Sequence, residues 1–140
     1  MTREKSETQD TELQTTPSAQ MRIAVDLDGT ICPIKQSGQT YADLEPLPGA
    51  TKRIRELRAA GHYVIIITAR NMATCQSNLG TVMKNVGKIT LDWLARYEIE
   101  YDEIYFGKAN AHIYIDDRAF RFSSWAEITL DVLEKKARLR

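Results

Sequence analysis

Two short apolar runs, Ile23-Ala24-Val25 and Val64-Ile65-Ile66-Ile67, constrain this chain more than any other feature. Successive side chains of a strand point to opposite faces, so a strand with one wet face alternates apolar and polar residues. These two runs do not alternate. They read as strands covered on both faces, the pattern of a parallel sheet with helices packed against it. The strands they define are Arg22–Asp26 and Tyr63–Thr68, and Glu103–Phe106 and His112–Asp116 are two further candidates.

Helical spacing fills the intervals. Over Gly49–Ala60, Ala50, Ile54 and Leu57 share one face and Gly61 supplies a stop. Over Thr81–Tyr97, Val82, Val86, Ile89 and Trp93 recur at three and four, although Gly87 weakens the middle and two shorter pieces are an alternative. A last helix is expected over Ser124–Lys136, from a Ser cap to Lys and Arg that suit a helix C-terminus. Strand, helix, strand, helix, strand, strand, helix is an α/β layout, and in such sheets ligands bind beyond the carboxyl ends of the strands.

Composition narrows the partners. Lys plus Arg and Asp plus Glu are 19 each, so no excess charge draws the chain to nucleic acid or an anionic membrane. Met1 to Gln20 holds almost nothing to bury and reads as a disordered polar tail ahead of one domain over 21–140. The tail has no apolar stretch, so no signal peptide is expected, and no run approaches membrane-spanning length. Cys32 and Cys75 lie in no metal-binding pattern and read as free thiols, which makes a cytoplasmic location the default.

Chemistry concentrates at strand ends. The first strand runs into Val25-Asp26-Leu27-Asp28-Gly29-Thr30, where Asp26 and Asp28, two apart, can face one site. Two such carboxylates repel unless a cation lies between them or one keeps a proton, and either answer suits an enzyme: one can attack phosphorus while the other protonates the leaving oxygen. Gly29 permits a sharp turn, and Thr30 offers hydroxyl and amide donors. An Asp-Gly turn with no further role is the plainer reading. A calcium loop of the EF-hand type is a poor fit, since the glycine falls at the wrong position and no helix precedes. The second strand ends Thr68-Ala69-Arg70, whose hydroxyl and following amides suit a phosphoryl group or simply cap a helix. Lys108 and then Asp116-Asp117-Arg118 complete the series.

A D-x-D-G-T run after a hydrophobic strand, then Thr, Lys and a paired-Asp strand end in that order, resembles the haloacid dehalogenase superfamily of phosphohydrolases over about Arg22 to Trp125. Within it, Thr68-Ala69-Arg70-Asn71-Met72, Asn85-Val86-Gly87-Lys88-Ile89-Thr90, Tyr101-Asp102-Glu103-Ile104 and Tyr114-Ile115-Asp116-Asp117-Arg118-Ala119 resemble a group of small bacterial capsule-biosynthesis phosphatases. Ala109 stands where that pattern has Pro. The resemblance implies a Rossmann-like three-layer domain with helices on both faces and a parallel sheet of at least four strands, ordered 3-2-1-4. It implies Asp26 as nucleophile and Asp28 as general acid and base. Mg2+ would be held by Asp26, the Asp28 carbonyl and Asp117, with Asp116, Arg70 and Arg118 in support. Phosphoryl oxygens would be held by Thr68, Ala69, Lys108, Gly29 and Thr30. Dehalogenating members lack the second acid of the first motif, so Asp28 favours phosphoryl transfer.

The gaps Cys32–Pro48 and Arg70–Thr81 are too short for a cap domain, so the site is expected to be open, and a homo-oligomer is one way to cover it. Gln36, Tyr41, Asp43, Asn71 and Met72 are candidate contacts to the leaving group of a small phosphorylated substrate, a sugar phosphate or other biosynthetic phosphoester. A polynucleotide or nucleotide phosphatase is an alternative, and a non-hydrolytic receiver-like phosphoacceptor is one of another class.

Overall fold

The architecture is built outward from one strand, Tyr63–Thr68 (β2), in a computed structural model that describes residues 20–138. The expected tail over 1–20 lies outside the described residues except for Gln20. Val64, Ile65 and Ile66 of β2 are all buried, as their unbroken apolar run requires. Arg22–Asp26 (β1) pairs with β2 in parallel, in register from Arg22 with Tyr63 to Asp26 with Ile67. Glu103–Phe106 (β3) pairs with the other edge of β2, also in parallel, from Ile65 with Glu103 to Thr68 with Phe106. The three-stranded sheet therefore has the order β1-β2-β3, and all three carboxyl ends lie along one edge.

The stretch expected as a fourth strand, His112–Asp116, is paired with no strand, and the expected order 3-2-1-4 is seen only in its 3-2-1 portion. Its local bonds turn it elsewhere. The Tyr114 hydroxyl donates to the Ala109 carbonyl, and the Asp116 carboxylate accepts from the Arg118 amide at 2.7 Å. Ile113 and Ile115 are left 71% and 96% exposed, so the apolar alternation in this run finds no core to face.

Between β1 and β2 lies the helix Ala50–Ala59 (α1), which buries Ala50, Ile54 and Leu57. Fully burying a side chain such as Ile54 or Leu57 contributes about 2 kcal/mol. Gly49 opens this helix at φ 85, and the Trp125 Cβ lies 3.2 Å from where a Cβ would project. The next helical stretch begins as Leu79–Val82 (α2), capped by Asn78, whose Oδ1 accepts from the Thr81 amide at 3.0 Å. It continues without a gap through a π turn, Met83–Gly87, into Lys88–Arg96 (α3). The interruption expected at Gly87 is thus a widened turn, in which a Cβ on Gly87 would come within 2.8 Å of the Met83 methyl.

The C-terminal helix differs from expectation. Ser124 is followed by a single 3-10 turn, Trp125–Glu127, and the α-helix starts only at Leu130–Arg138 (α4). The functioning cap is Thr129, whose Oγ1 accepts from the Val132 amide at 3.2 Å, while the Ile128 carbonyl between the two segments accepts from Arg53 on α1.

Leu27, Ile31, Ile54, Leu57, Val64, Ile66, Trp93 and Trp125 share the main core. Both tryptophans also donate to backbone, Trp93 to Leu44 at 2.8 Å and Trp125 to Thr30 at 2.7 Å, so their indole N–H groups are satisfied in the core. A smaller cluster, Met72, Val82 and Val86, lies apart. His62 is buried and accepts the Met21 amide at 3.1 Å, a structural role. Cys32 and Cys75 are free thiols. Among the described residues no helix is long and apolar enough to cross a membrane.

Asp102 joins α1 to the sheet. Its carboxylate accepts from Arg58 at 2.8 Å and from the Val64 amide at 2.8 Å, and these bonds, Arg58 first, hold its carboxyl below the ordinary value. A depressed pKa contributes stability at neutral pH that is lost as pH falls through the folded-state value. Asp102→Asn is expected to cost about 1 kcal/mol at neutral pH. In urea denaturation the gap to the wild type should close as pH drops below the usual aspartate range, and a gap that widens there would contradict this.

Candidate functional site

Each strand delivers a charged residue two positions past its last: Asp28 after β1, Arg70 after β2 and Lys108 after β3. Asp26, at the end of β1 itself, joins them. All four line one cleft of about 340 Å³, within the range of small-molecule sites.

The turn after β1 is tightly specified. The Leu27 amide continues the ladder to the Ile67 carbonyl at 3.1 Å, and the Leu27 carbonyl then accepts from the amides of Thr30, Ile31 and Cys32. Gly29 sits at φ 89 and donates to the Cys32 carbonyl at 2.7 Å, so the amides of Gly29 and Thr30 are spent inside the turn. Neither residue lines the cleft. The turn anchors Asp28 against Cys32 while the buried side chains of Leu27 and Ile31 face the core.

Asp28 is held by Arg70. The guanidinium is fully buried and binds the carboxylate with two arms, Nε to Oδ2 at 2.9 Å and Nη2 to Oδ1 at 2.9 Å. Its third nitrogen, Nη1, donates to the buried Thr90 hydroxyl on α3 at 3.0 Å, and its Cζ lies 4.0 Å from the centroid of the Tyr41 ring. A buried charge needs this completeness of partners, and the planar fork of arginine supplies it. The Cys32 thiol touches both members of the pair, at 3.5 Å from Asp28 Oδ1 and 3.5 Å from Arg70 Nη2. Burial, with the Asp28 charge second, pushes that thiol up to about 12, so it stays protonated and is no nucleophile.

Asp26 has a different neighbour. Lys108 Nζ lies 3.3 Å from its Oδ1, and the same ammonium sits 4.3 Å from the Tyr114 ring centroid. Burial pushes the Asp26 carboxyl above its ordinary value, Lys108 pulls it back, and Asp28 adds to the rise. Thr68 fixes where Lys108 emerges: its carbonyl accepts from both the Gly107 and Lys108 amides, at 3.1 and 3.0 Å, with Gly107 at φ 100. The Thr68 hydroxyl accepts the Arg70 amide at 3.0 Å, is fully buried and does not line the cleft, whereas Ala69 does.

Of the expected leaving-group contacts, Tyr41 and Asn71 line the cleft, and Asn71 sits at φ 62. Gln36 and Asp43 are exposed and bond within their own loop, Asp43 capping a 3-10 turn, Tyr41–Asp43, by accepting from Thr40 at 2.7 Å. Met72 is in the core. Asp116, Asp117 and Arg118 lie in an exposed turn and do not line the cleft. Among the described residues no three of His, Cys, Asp and Glu gather as a metal-holding group. The oxygen-only pair Asp26 and Asp28 suits a hard cation such as Mg2+, while Asp117 is not brought to it. Lys35, Thr74, Asn110 and Tyr114 line the cleft without having been singled out in sequence.

The chain matches no protein-family model and no curated protein. It is similar to a protein from Vibrio cholerae whose crystal structure was solved as a structural-genomics target. The two are 33% identical with a TM-score of 0.75, over 85% of this chain and 98% of the other.

The two ion pairs should respond differently to loss of the cation. Arg70→Met removes the partner of a carboxylate in a buried network and is expected to cost about 3 kcal/mol. Lys108→Met removes a partner that is itself partly exposed, unlike the fully buried Arg70, and should cost less, about 1 kcal/mol. Denaturant midpoints measured side by side check this, and equal losses would show that the Arg70 pair is no more than a surface contact.

Proposed function

We infer that this chain, which belongs to the same family as the Vibrio cholerae protein, is a phosphohydrolase of the haloacid dehalogenase type that cleaves a phosphomonoester through an aspartyl-phosphate on Asp26. The observation that carries this reading is the contrast between two carboxylates in one cleft. Asp26 is paired loosely to a single ammonium, whereas Asp28 is clamped by a buried guanidinium. Carboxylates placed in unlike environments are suited to unlike roles.

In the first step an Asp26 carboxylate oxygen attacks phosphorus, and the bond from phosphorus to the ester oxygen breaks. Asp28 Oδ2, which among the described residues accepts only from Arg70 Nε whereas Oδ1 also takes Nη2 and the Cys32 thiol, takes up the proton that a phosphomonoester monoanion brings and gives it to that departing oxygen. In the second step Asp28 takes a proton from water as the water oxygen attacks phosphorus, which releases inorganic phosphate and restores the Asp26 carboxylate. Lys108, whose Nζ lies 3.3 Å from Asp26 Oδ1, would hold phosphoryl oxygens, and Arg70 keeps Asp28 in one rotamer so that little reorganisation is needed. Mg2+, held by Asp26 and the Asp28 carbonyl, would when bound offset the repulsion between carboxylate and phosphate.

The finer parts of the resemblance belong to this same proposal: the kinship to capsule-biosynthesis phosphatases, a sugar phosphate or similar small phosphoester as substrate, His112–Asp116 as a fourth strand beyond β1 carrying Asp117 to the metal, and a cytoplasmic location. A receiver domain has its acidic pair and its phosphoacceptor on separate strands. Here both acids sit at the end of β1, and Asp28 is available to a leaving group, which supports hydrolysis over simple phosphoacceptance.

Phosphate release from a panel of phosphoesters with Mg2+ tests the assignment. Asp26→Asn should lose at least about a thousandfold, and retention within about tenfold, only ~1.4 kcal/mol of barrier, would overturn it. Asp28→Asn should be impaired far more on alkyl phosphates than on p-nitrophenyl phosphate, whose leaving group departs without a proton. Equal impairment on both would remove Asp28 from the role of acid.

A further inference from the structure

We propose that Lys35 is a specificity-determining cation that selects phosphomonoesters bearing a second anionic group, a carboxylate or another phosphate, on the leaving-group side; this rests on the phosphohydrolase reading above. Five charged side chains line the cleft: Asp26, Asp28, Lys35, Arg70 and Lys108. Four of them cancel in pairs, Arg70 with Asp28 at 2.9 Å and Lys108 with Asp26 at 3.3 Å. Lys35 is left over. It is half-buried, it has no carboxylate partner among the described residues, and its contact is with the Tyr41 ring, 5.5 Å from Nζ to the centroid. Arg70 already uses that ring at 4.0 Å, so the ring's limited attraction for cations is shared between two charges. A partly desolvated ammonium in a cleft, without an anion of its own, is a site for an anion that arrives with the ligand.

Position separates that anion from the phosphate being transferred. Lys108 covers Asp26, the attacking group. Lys35 is instead linked to Asp28: it lies against Tyr41, which packs on Arg70, which in turn holds Asp28. Asp28 is the group that meets the leaving oxygen, so Lys35 faces what the leaving oxygen is attached to. Lys35 and Tyr41 both come from the loop between β1 and α1, beyond the turn that sets Asp28, and this stretch is the part of the chain that reads the substrate.

The test compares phosphoester pairs matched except for one anionic group, such as phosphoglycerate beside glycerol phosphate and a sugar bisphosphate beside its monophosphate. The wild type should prefer the doubly anionic member through KM. In Lys35→Met the kcat/KM ratio within a pair should fall about tenfold, with the loss in KM rather than kcat, and Lys35→Arg should restore most of it. Equal losses on both members would place Lys35 on the scissile phosphate and overturn the proposal, as would a ratio that does not change. A wild type that hydrolyses both members without preference would sink this proposal alone. Release of phosphate from no member of any pair would sink the hydrolase reading and this one with it.

Discussion

Everything in this chain is hung on β2. It is the central strand, its side chains are buried on both faces, and it pairs in parallel with β1 on one edge and β3 on the other. Parallel pairing has a geometric consequence that antiparallel pairing lacks: the carboxyl ends of all three strands fall together. Residues far apart in sequence, Asp26 and Asp28, then Arg70, then Lys108, are brought to one cleft because the helical crossovers after β1 and after β2 each return the chain to the start of the next strand. The Thr68 carbonyl, which takes the amides of both Gly107 and Lys108, carries this constraint two residues past the ladder and sets the point from which the Lys108 side chain starts.

The second constraint is electrostatic. A fully buried guanidinium is tolerable only when its donors are satisfied, and Arg70 meets that condition by drawing on α3 and on two points of the loop between β1 and α1. Asp28 comes from the turn after β1, Thr90 from α3 and the Tyr41 ring from the first loop. The pair thus fastens the floor of the cleft to the helix behind it. Asp26 has no such clamp, only the single ammonium of Lys108, and its carboxyl is left raised by burial. Leaving one anion under-compensated while fully compensating its neighbour costs stability, and that is the pattern expected where a group is kept for chemistry.

Much of this was legible in the residues themselves. The bounds of β1, β2 and β3 follow from apolar runs whose continuity admits few other readings, and α1 follows from the spacing of Ala50, Ile54 and Leu57. The run at His112–Asp116 has the same look of a strand, but it is short, and bonds from Tyr114 to Ala109 and from Arg118 to Asp116 hold it in local loops. Ser124 and Thr129 are both plausible caps by type. The helix starts after Thr129, and the Ile128 carbonyl before it accepts from Arg53, a tertiary contact that residue type does not reveal. In the cleft, the signal in Asp26, Asp28, Arg70 and Lys108 was their recurrence at strand ends. Thr68, Gly29 and Thr30 carry the same signal and yet spend their polar groups on the scaffold, since a strand-end turn needs internal hydrogen bonds as much as a ligand does. Lys35 had no signal at all, because a single lysine in a loop looks solvated until Tyr41 and its ring are placed beside it.

The central claim is the covalent role of Asp26, and the most direct measurement traps it. The protein is mixed with a radiolabelled phosphomonoester that it turns over, quenched in acid within a turnover, digested, and the labelled peptide sequenced. The account requires label on the peptide containing Asp26, released by hydroxylamine as an acyl phosphate is, and absent from Asp26→Asn. Turnover with no labelled protein, or label held on another residue, would contradict it.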